Sequence, residues 1–248
     1  MNEKNQGELL YAKILEEAKV DENILGFFLT AGRGKGVVTE KSDYDVFLIV
    51  REGSTQEYKA KYEKQRIQSV FDLLVFSLAE FGEYAKIGSA EEWDRYNFAH
   101  LKAQIDKGGI QDLIDEKGSL PEEKIQETVE NNLGGYFNLY YRSKKNQRDG
   151  NFLASHLDGA ESALYFLTAL FAMNGKMRPY NKYLEWELKN FPLEKTAWGA
   201  EDLIVKIQAI VSSGDMETQD ELFRKSRELF YANGFVQTIT DWRDCFPE

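Results

Sequence analysis

Cysteine and histidine are scarce in this sequence, whose 248 residues contain one cysteine, Cys245, and two histidines, His100 and His156. A single cysteine excludes a disulfide within the chain and is typical of a reducing compartment. Three such side chains are too few for a zinc site built from cysteine and histidine ligands. The fold therefore has to be stabilised by an apolar core, and the chain is long enough to bury one.

Long apolar runs and an excess of basic residues are also missing. No stretch approaches the roughly 20 apolar residues that span a membrane, and the N-terminal segment MNEKNQGELL lacks the apolar core of a signal peptide. The formal net charge of −11 argues against nonspecific binding to nucleic acid. An acidic surface favours solubility in general, and it would also suit a cationic small substrate. We therefore expect a soluble, cytoplasmic protein without a membrane or nucleic-acid partner.

The most informative stretch of the sequence is residues 29–50, which read LTAGRGKGVVTEKSDYDVFLIV. Its second half runs from Asp43 and Asp45 into an apolar string, Val46 to Val50, which predicts a buried strand. Side chains alternate across a strand, so both carboxylates point to the same face. Two adjacent carboxylates at the start of a buried strand are costly unless something compensates them, and Mg²⁺ is the favoured hard cation for oxygen ligands.

The first half of the same stretch combines glycine with basic side chains. Gly32 and Gly36 would let backbone amides approach a ligand closely, while Arg33 and Lys35 would complement its negative charge. A phosphate-binding turn, followed after a short loop by a metal-binding carboxylate pair, indicates chemistry on a nucleoside triphosphate.

These residues resemble the nucleotidyltransferase superfamily that includes DNA polymerase beta and kanamycin nucleotidyltransferase. The family pattern is Gly-Ser, a short variable loop with Arg or Lys before Gly, and then Ser-Asp-x-Asp. The matching residues of this chain are Arg33, Lys35, Gly36, Ser42, Asp43 and Asp45. One departure is that Ala31-Gly32 replaces Gly-Ser, so the serine hydroxyl that contacts a phosphate is absent. The resemblance implies a Mg²⁺-dependent enzyme that uses ATP or another nucleoside triphosphate as donor.

Asp72 is the third acidic candidate. It lies alone among apolar neighbours in a predicted third strand within residues 66–79, where an unpartnered carboxylate would be costly. The family places its third carboxylate on a strand that follows the Asp-x-Asp strand. The resemblance therefore implies that Asp72 shares the metal with Asp43 and Asp45 and could act as a base.

The two halves of the chain show different patterns. Residues 1–118 combine a helix at 6–20 with strand candidates at 23–30, 46–50, 66–79 and 102–110, which together with the resemblance predicts a small nucleotidyltransferase domain with a mixed sheet. Trp93, Tyr96 and Phe98 are expected to pack a helix in this half. Residues 119–248 begin with a helix-start signal at Ser119 to Glu122 and show helical periodicity throughout. The predicted fold class is α+β, with a catalytic domain followed by an α-helical bundle.

Within the helical half, one long helix is predicted at residues 151–174, and a basic cluster precedes it. The apolar stripe expected to be buried on that helix consists of Leu153, Leu157, Ala160, Leu164, Leu167 and Phe171. The basic cluster consists of Arg142, Lys144, Lys145 and Arg148. Lys145 in this cluster is a candidate triphosphate contact, and the alternative is a solvated helix end at which cations favour the helix dipole.

Two further groups of the helical half could face an active site. Asp158 and Glu161 lie one turn apart on the long helix. Kanamycin nucleotidyltransferase uses a helical-domain glutamate as its base, so the resemblance makes Glu161 a catalytic candidate, with a simple exposed face as the alternative. The segment MRPYNKYLEWE at residues 177–187 contains Lys182, a second candidate triphosphate contact, although its aromatic residues could equally pack inside the bundle.

The predicted reaction is attack of a hydroxyl on the α-phosphorus of ATP, and three alternatives for the acceptor stay open. The first is a small molecule such as an aminoglycoside- or lincosamide-like antibiotic, with the protein acting as a monomer or homodimer. The second is a partner protein, as in regulatory antitoxins that adenylylate a toxin, although most such antitoxins lack a large helical half. The third is a nucleotide-binding module without catalysis, which the missing serine favours.

Overall fold

The computed structural model describes residues 3–63 and 70–242, and the chain divides into two compact units, Met1–Ser119 and Leu120–Glu248. The first unit contains a four-stranded sheet with helices, and the second contains helices. The predicted α+β class, a small mixed sheet followed by an α-helical region, is confirmed.

The sheet of the first unit has the strand order β3-β2-β1-β4. Its strands are β1 (Ile24–Leu29), β2 (Tyr44–Val50), β3 (Phe71–Ser77) and β4 (Ile105–Asp106). Strand β1 pairs antiparallel with both β2 and β4, whereas β2 and β3 are parallel. The helices of this unit are α1 (Glu3–Val20), α2 (Ala31–Gly34), α3 (Thr55–Glu63), α4 (Leu78–Glu83) and α5 (Ile110–Lys117), with a 3₁₀ segment at Glu92–Phe98.

Strand β2 lies at the centre of this unit because both of its faces are covered. Val46 and Leu48 pack in one apolar cluster with residues of α1 and α3, and Phe47 and Ile49 pack in another with residues of α4, α5 and the 3₁₀ segment. A strand buried on both faces has a nearly continuous apolar sequence instead of an alternating one. The apolar string that predicted a buried strand is explained by this arrangement.

Strand β3 confirms the predicted third strand over part of its range. The strand occupies Phe71–Ser77 of the predicted residues 66–79, and residues 64–69 lie outside the described part of the chain. It ends at Ser77 because that residue caps α4. The Ser77 hydroxyl accepts a hydrogen bond from the backbone amide of Glu80, and the Glu80 carboxylate accepts one from the backbone amide of Ser77. These two bonds satisfy two amide donors at the start of the helix.

The second unit is built around a pair of long helices. Its helices are α6 (Glu122–Arg148), α7 (Phe152–Met173), α8 (Leu184–Asn190), α9 (Ala200–Ser213), α10 (Met216–Ala232) and α11 (Val236–Asp241), with a 3₁₀ turn at Asn181–Tyr183. Their buried side chains form one apolar cluster that includes Phe137, Phe166 and Phe223. The described part of the chain contains no helix with the length and apolarity needed to cross a membrane.

The predicted apolar stripe on α7 is wrong at Leu153, Leu157 and Leu164, which are exposed, and right at Leu167 and Phe171, which are buried. Leu153 is 75% exposed and Leu157 is 61% exposed, whereas Ser155, Asp158 and Gly159 are buried. The buried polar groups have partners on α6: the hydroxyl of Ser143 donates to the carbonyl of Ser155 over 2.8 Å, and Asn146 donates to the Asp158 carboxylate over 2.8 Å. Because these bonds offset the cost of burial, small polar residues take the face that periodicity assigned to leucine.

Candidate active site

Two predicted carboxylates lie side by side on the parallel strands β2 and β3. Asp45 is the register partner of Asp72, and both side chains are half-buried. Residues in register on neighbouring strands project to the same face of a sheet. Both carboxylates line one cavity of about 270 Å³. Asp72 therefore lies close to Asp45, one of the two aspartates of the Asp-x-Asp segment.

Asp43, the third predicted metal ligand, lies outside this cavity. It is exposed and precedes β2, and its backbone carbonyl accepts a hydrogen bond from Nε of Arg33 over 2.8 Å. Within residues 3–63 and 70–242, no group of three or more histidine, cysteine, aspartate or glutamate side chains is placed to hold a metal ion. The structure therefore brings together two of the three predicted ligands, because only Asp45 and Asp72 are held in the sheet register.

A pair of carboxylates is nevertheless sufficient for the coordination of a Mg²⁺ ion that is bound to a phosphate substrate. Mg²⁺ keeps several waters and is commonly bound through one or two carboxylates together with substrate phosphates. Asp45 and Asp72 supply such a pair. The residues present therefore fit one ion carried by a triphosphate, and they do not form a cage made of protein ligands alone.

One wall of the cavity comes from Tyr84, directly after α4, and from the 3₁₀ segment, and no sequence pattern indicated a function for it. Asp94 is buried and accepts hydrogen bonds from the hydroxyl of Tyr84, over 2.9 Å, and from the side-chain amide of Asn97. Burial raises the pKa of Tyr84 above its usual value, and the Asp94 carboxylate raises it further. Trp93 also lines the cavity and is 71% exposed, contrary to the expectation that it packs inside.

The ammonium group of Lys35 is bound by the protein itself. Lys35 is 7% exposed, and its Nζ donates to the carbonyl oxygens of Tyr96, Asn97 and Ala99 over 3.0, 3.2 and 2.5 Å. It does not line the cavity. The structure thus gives Lys35 a role in fixing the 3₁₀ wall, and the predicted contact with a phosphate has no support from its position.

The rest of the glycine-rich stretch is a compact corner. Residues Ala31–Gly34 form the short helix α2, and Ala31 has a φ of 49°, in the left-handed region that favours glycine. Arg33 donates to the carbonyls of Asp43 and Ser42 over 2.8 and 3.0 Å, and its guanidinium lies 3.7 Å from the ring centroid of Tyr44. The contacts of Arg33 therefore hold α2 against the residues at the start of β2.

The other predicted members of this stretch support the same corner. Gly32 is buried, Gly36 adopts a φ of 73°, and the Ser42 hydroxyl accepts the amide of Thr39 over 2.8 Å. None of these three residues lines the cavity, whereas Thr30 and Ala31 do. The phosphate-binding roles predicted for Gly32, Gly36 and Ser42 stay predictions.

In the second unit, the predicted basic cluster is largely neutralised by acidic side chains. Arg142 pairs with Asp158 at 3.2 Å, Lys144 with Asp220 at 3.0 Å, and Arg148 with Asp149 at 2.7 Å. Lys145 lies 5.5 Å from the ring centroid of Tyr141. These pairs favour the alternative of a helix end stabilised by its own ion pairs.

The remaining candidates of the second unit lie on its surface. Glu161 is exposed on α7, whereas Asp158, with which it was grouped, is buried by its contacts with α6. Lys182 is exposed, with its Nζ 5.2 Å from the ring centroid of Tyr183. Their predicted catalytic and phosphate-binding roles stay predictions.

Among solved structures, the chain has distant similarity to a nucleotidyltransferase-like protein. No protein-family model matches the chain, and no curated protein matches it. A solved structure, a nucleotidyltransferase-like protein from Exiguobacterium sibiricum 255-15, is similar with a TM-score of 0.40 and 10% identity. The likeness covers 94% of this chain and 78% of that chain. At this level it identifies neither a site nor a substrate.

Proposed function

We propose that the first unit binds a nucleoside triphosphate together with Mg²⁺ in the acidic cavity and transfers its nucleoside monophosphate to a hydroxyl group. The observation that carries this proposal is the register of Asp45 and Asp72, which places two carboxylates on one face of adjacent parallel strands and in one cavity.

The charge of the cavity supports a metal complex as the ligand. Its lining contains Asp45, Asp72 and Asp94 and, within the described part of the chain, no lysine or arginine. A bare triphosphate would be repelled by these carboxylates. Asp45 and Asp72 would hold Mg²⁺, which would supply positive charge to offset the negative charge that develops on the leaving group.

The chain's own residues would then orient the substrates and move one proton. The acceptor oxygen forms a bond to the α-phosphorus, the bond from that phosphorus to the bridging oxygen breaks, and pyrophosphate leaves. The acceptor proton passes to a carboxylate, for which Asp72 is the candidate within the cavity. Glu161, Lys145 and Lys182 belong to the second unit, and their roles toward the acceptor and the triphosphate are part of the proposal.

The finer identity of the substrates rests on charge and on the family resemblance. We propose ATP as the donor, which gives AMP transfer. For the acceptor we propose a small hydroxylated molecule such as an aminoglycoside- or lincosamide-like antibiotic. The three acidic residues of the cavity and the net charge of −11 would suit an acceptor that carries amines.

A second candidate function is nucleotide binding without transfer. It is favoured by Arg33 and Lys35, whose cationic groups are occupied by backbone carbonyls. Catalysis of phosphoryl transfer depends on positioning and charge stabilisation, so a site with fewer available cations could bind a nucleotide and leave it unchanged.

Labelled ATP with Mg²⁺ and a panel of hydroxyl acceptors separates the two functions. Transfer of label to an acceptor supports the first function, and binding without any transfer supports the second. The decisive variant is Asp45→Asn, for which we expect at least about a 100-fold loss of transfer, or about 3 kcal/mol of barrier.

The matched control for that variant is Asp112→Asn, which removes an exposed carboxylate on α5. We expect it to retain transfer. Circular dichroism and the melting temperature would establish that both variants fold. Full transfer by a folded Asp45→Asn protein would refute the assignment of the cavity.

A further inference from the structure

Strand β3 forms an edge of the sheet in the described part of the chain, where β2 is its sole strand neighbour. The amide of Tyr44 donates a hydrogen bond to the carbonyl of Val70. This bond determines which residues of β3 direct their backbone amide and carbonyl toward β2. In a parallel ladder these residues alternate. Asp72, Leu74 and Phe76 therefore direct their backbone groups toward β2, and the backbone groups of Leu73 and Val75 point away from the sheet.

Two outward amides of the edge, those of Leu73 and Ser77, are satisfied within the chain, whereas the groups of Val75 between them are not. The amide of Leu73 donates to the Asp72 carboxylate over 3.1 Å, and the amide of Ser77 donates to Glu80 over 2.7 Å. The amide and carbonyl of Val75 point away from β2, and among the described residues they have no hydrogen-bond partner. A strand edge with open donors and acceptors selects another extended strand.

The surface beside this edge has room for a partner. A groove of about 440 Å³ runs between β3 and the side chains of Gln56, Lys59 and Tyr62 on α3. Leu74, which also lines the groove, is 43% exposed. The strand sequence FDLLVFS contains neither proline nor lysine, the residues that most often block edge-to-edge pairing, and Asp72 is its one charged residue.

We propose that β3 pairs antiparallel with β3 of a second copy of this chain, about a two-fold axis at Leu74, to form one continuous sheet. In this register Leu74 lies opposite Leu74 of the second copy, and Leu73 lies opposite Val75, so that the open backbone groups of Val75 meet outward groups of Leu73. Closed two-fold pairing of one patch with itself is the commonest form of homodimer.

The charge pattern of β3 favours a second copy as the occupant. Asp72 is the sole charged residue of the strand, and the two-fold register places it opposite Phe76. The two Asp72 residues are then separated by four positions along the strand, or about 14 Å, so no like charges face each other. A seven-residue strand pair forms a small interface, and we expect a dissociation constant on the order of 10 µM.

Analytical ultracentrifugation of the full chain over a range of about 1 to 200 µM tests the dimer. We expect the wild type to pass from monomer to dimer and Leu74→Lys to remain monomeric at every concentration, because two lysines would face each other at the axis. The matched control is Leu9→Lys, which places the same charge at an exposed leucine of α1 and should retain the dimer.

Amide hydrogen exchange of the wild type gives a second test that does not depend on a variant. We expect the Val75 amide to exchange at least about ten times more slowly at high than at low protein concentration, while the amides of Leu74 and Phe76 stay protected at both. A monomer at all concentrations would overturn the proposal. So would a dimer that survives Leu74→Lys, or a Val75 amide whose exchange is independent of concentration.

Discussion

The buried ammonium group of Lys35 shows how a single residue can support the cavity without lining it. Its three carbonyl partners lie in, or directly after, the 3₁₀ segment that carries Asp94 and Asn97. Such a cation is stabilised by hydrogen bonds that replace its hydration. Removing it takes a donor from all three carbonyls, of which that of Tyr96 still accepts the backbone amide of Ala99. The role inferred from the structure is therefore distinct from phosphate binding and can be separated from it by measurement.

The variant Lys35→Met should lower the free energy of unfolding by about 3 kcal/mol, because it removes three hydrogen bonds, two of them buried. Urea unfolding of the variant and the wild type measures this difference. The control Lys41→Met changes an exposed lysine of the same loop and should alter stability by less than about 0.5 kcal/mol. If Lys35→Met weakened nucleotide binding and left stability unchanged, the phosphate contact predicted from the sequence would be the better description.

Residue-level sequence reasoning identified part of the cavity, for a physical reason. Asp45 and Asp72 could be found because each carboxylate adjoins or interrupts an apolar strand. Asp94 and Asn97 could not be found, since their place depends on how the 3₁₀ segment packs against the sheet. Short 3₁₀ segments leave no periodic pattern in a sequence.

At the scale of elements, α6 and α7 pack closely enough that adjacent glycines of α6 have different surroundings. A Cβ atom added at Gly135 would lie 2.5 Å from the ring of Tyr165 on α7, whereas one added at Gly134 would meet nothing within 4 Å. Glycine is unfavourable inside a helix. Gly135 is therefore needed for helix packing, and Gly134 is not.

The substitutions Gly134→Ala and Gly135→Ala form a matched pair that tests this contact. We expect Gly134→Ala to raise the free energy of unfolding by about 0.5 to 1 kcal/mol, through a better helix propensity. Gly135→Ala should lower it by about 1 to 3 kcal/mol, because the methyl group would displace the Tyr165 ring. Thermal or urea unfolding measures both, and equal effects of the two substitutions would contradict the packing described for α6 and α7.

Element type was more predictable than element faces. Strands β2 and β3 and the long helix α7 followed from apolar runs and helical periodicity. The buried face of α7 did not, because the leucine stripe suggested one face and the partners of Ser155 and Asp158 on α6 required another. Periodicity measures the positions of apolar residues, and it does not include hydrogen bonds between helices.

At the scale of the whole molecule, the two units have separate apolar cores. Two clusters cover the faces of the sheet in the first unit, and one cluster fills the second unit. The division into an α/β part and a helical part could be anticipated from the change in pattern along the chain, since each pattern predicts its own kind of core.

Ligand binding should accordingly stabilise the first unit. A ligand at 100 times its dissociation constant adds about 2.7 kcal/mol to the stability of the state that binds it. Hydrogen exchange measured by mass spectrometry with and without ATP and Mg²⁺ should show slower exchange in β2 and β3. The variant Asp45→Asn should abolish this effect, and slowing confined to residues 120–248 would contradict the assignment of the cavity to the first unit.

The hydrogen bond from the Leu73 amide to the Asp72 carboxylate connects the edge of the sheet to its acidic cavity. In the proposed dimer that amide would turn to the carbonyl of Val75 in the other copy, and the carboxylate would lose a donor. The carboxylate oxygen that had accepted this hydrogen bond could then coordinate a cation instead. Dilution of the protein would then weaken its hold on magnesium, so that specific activity would depend on concentration.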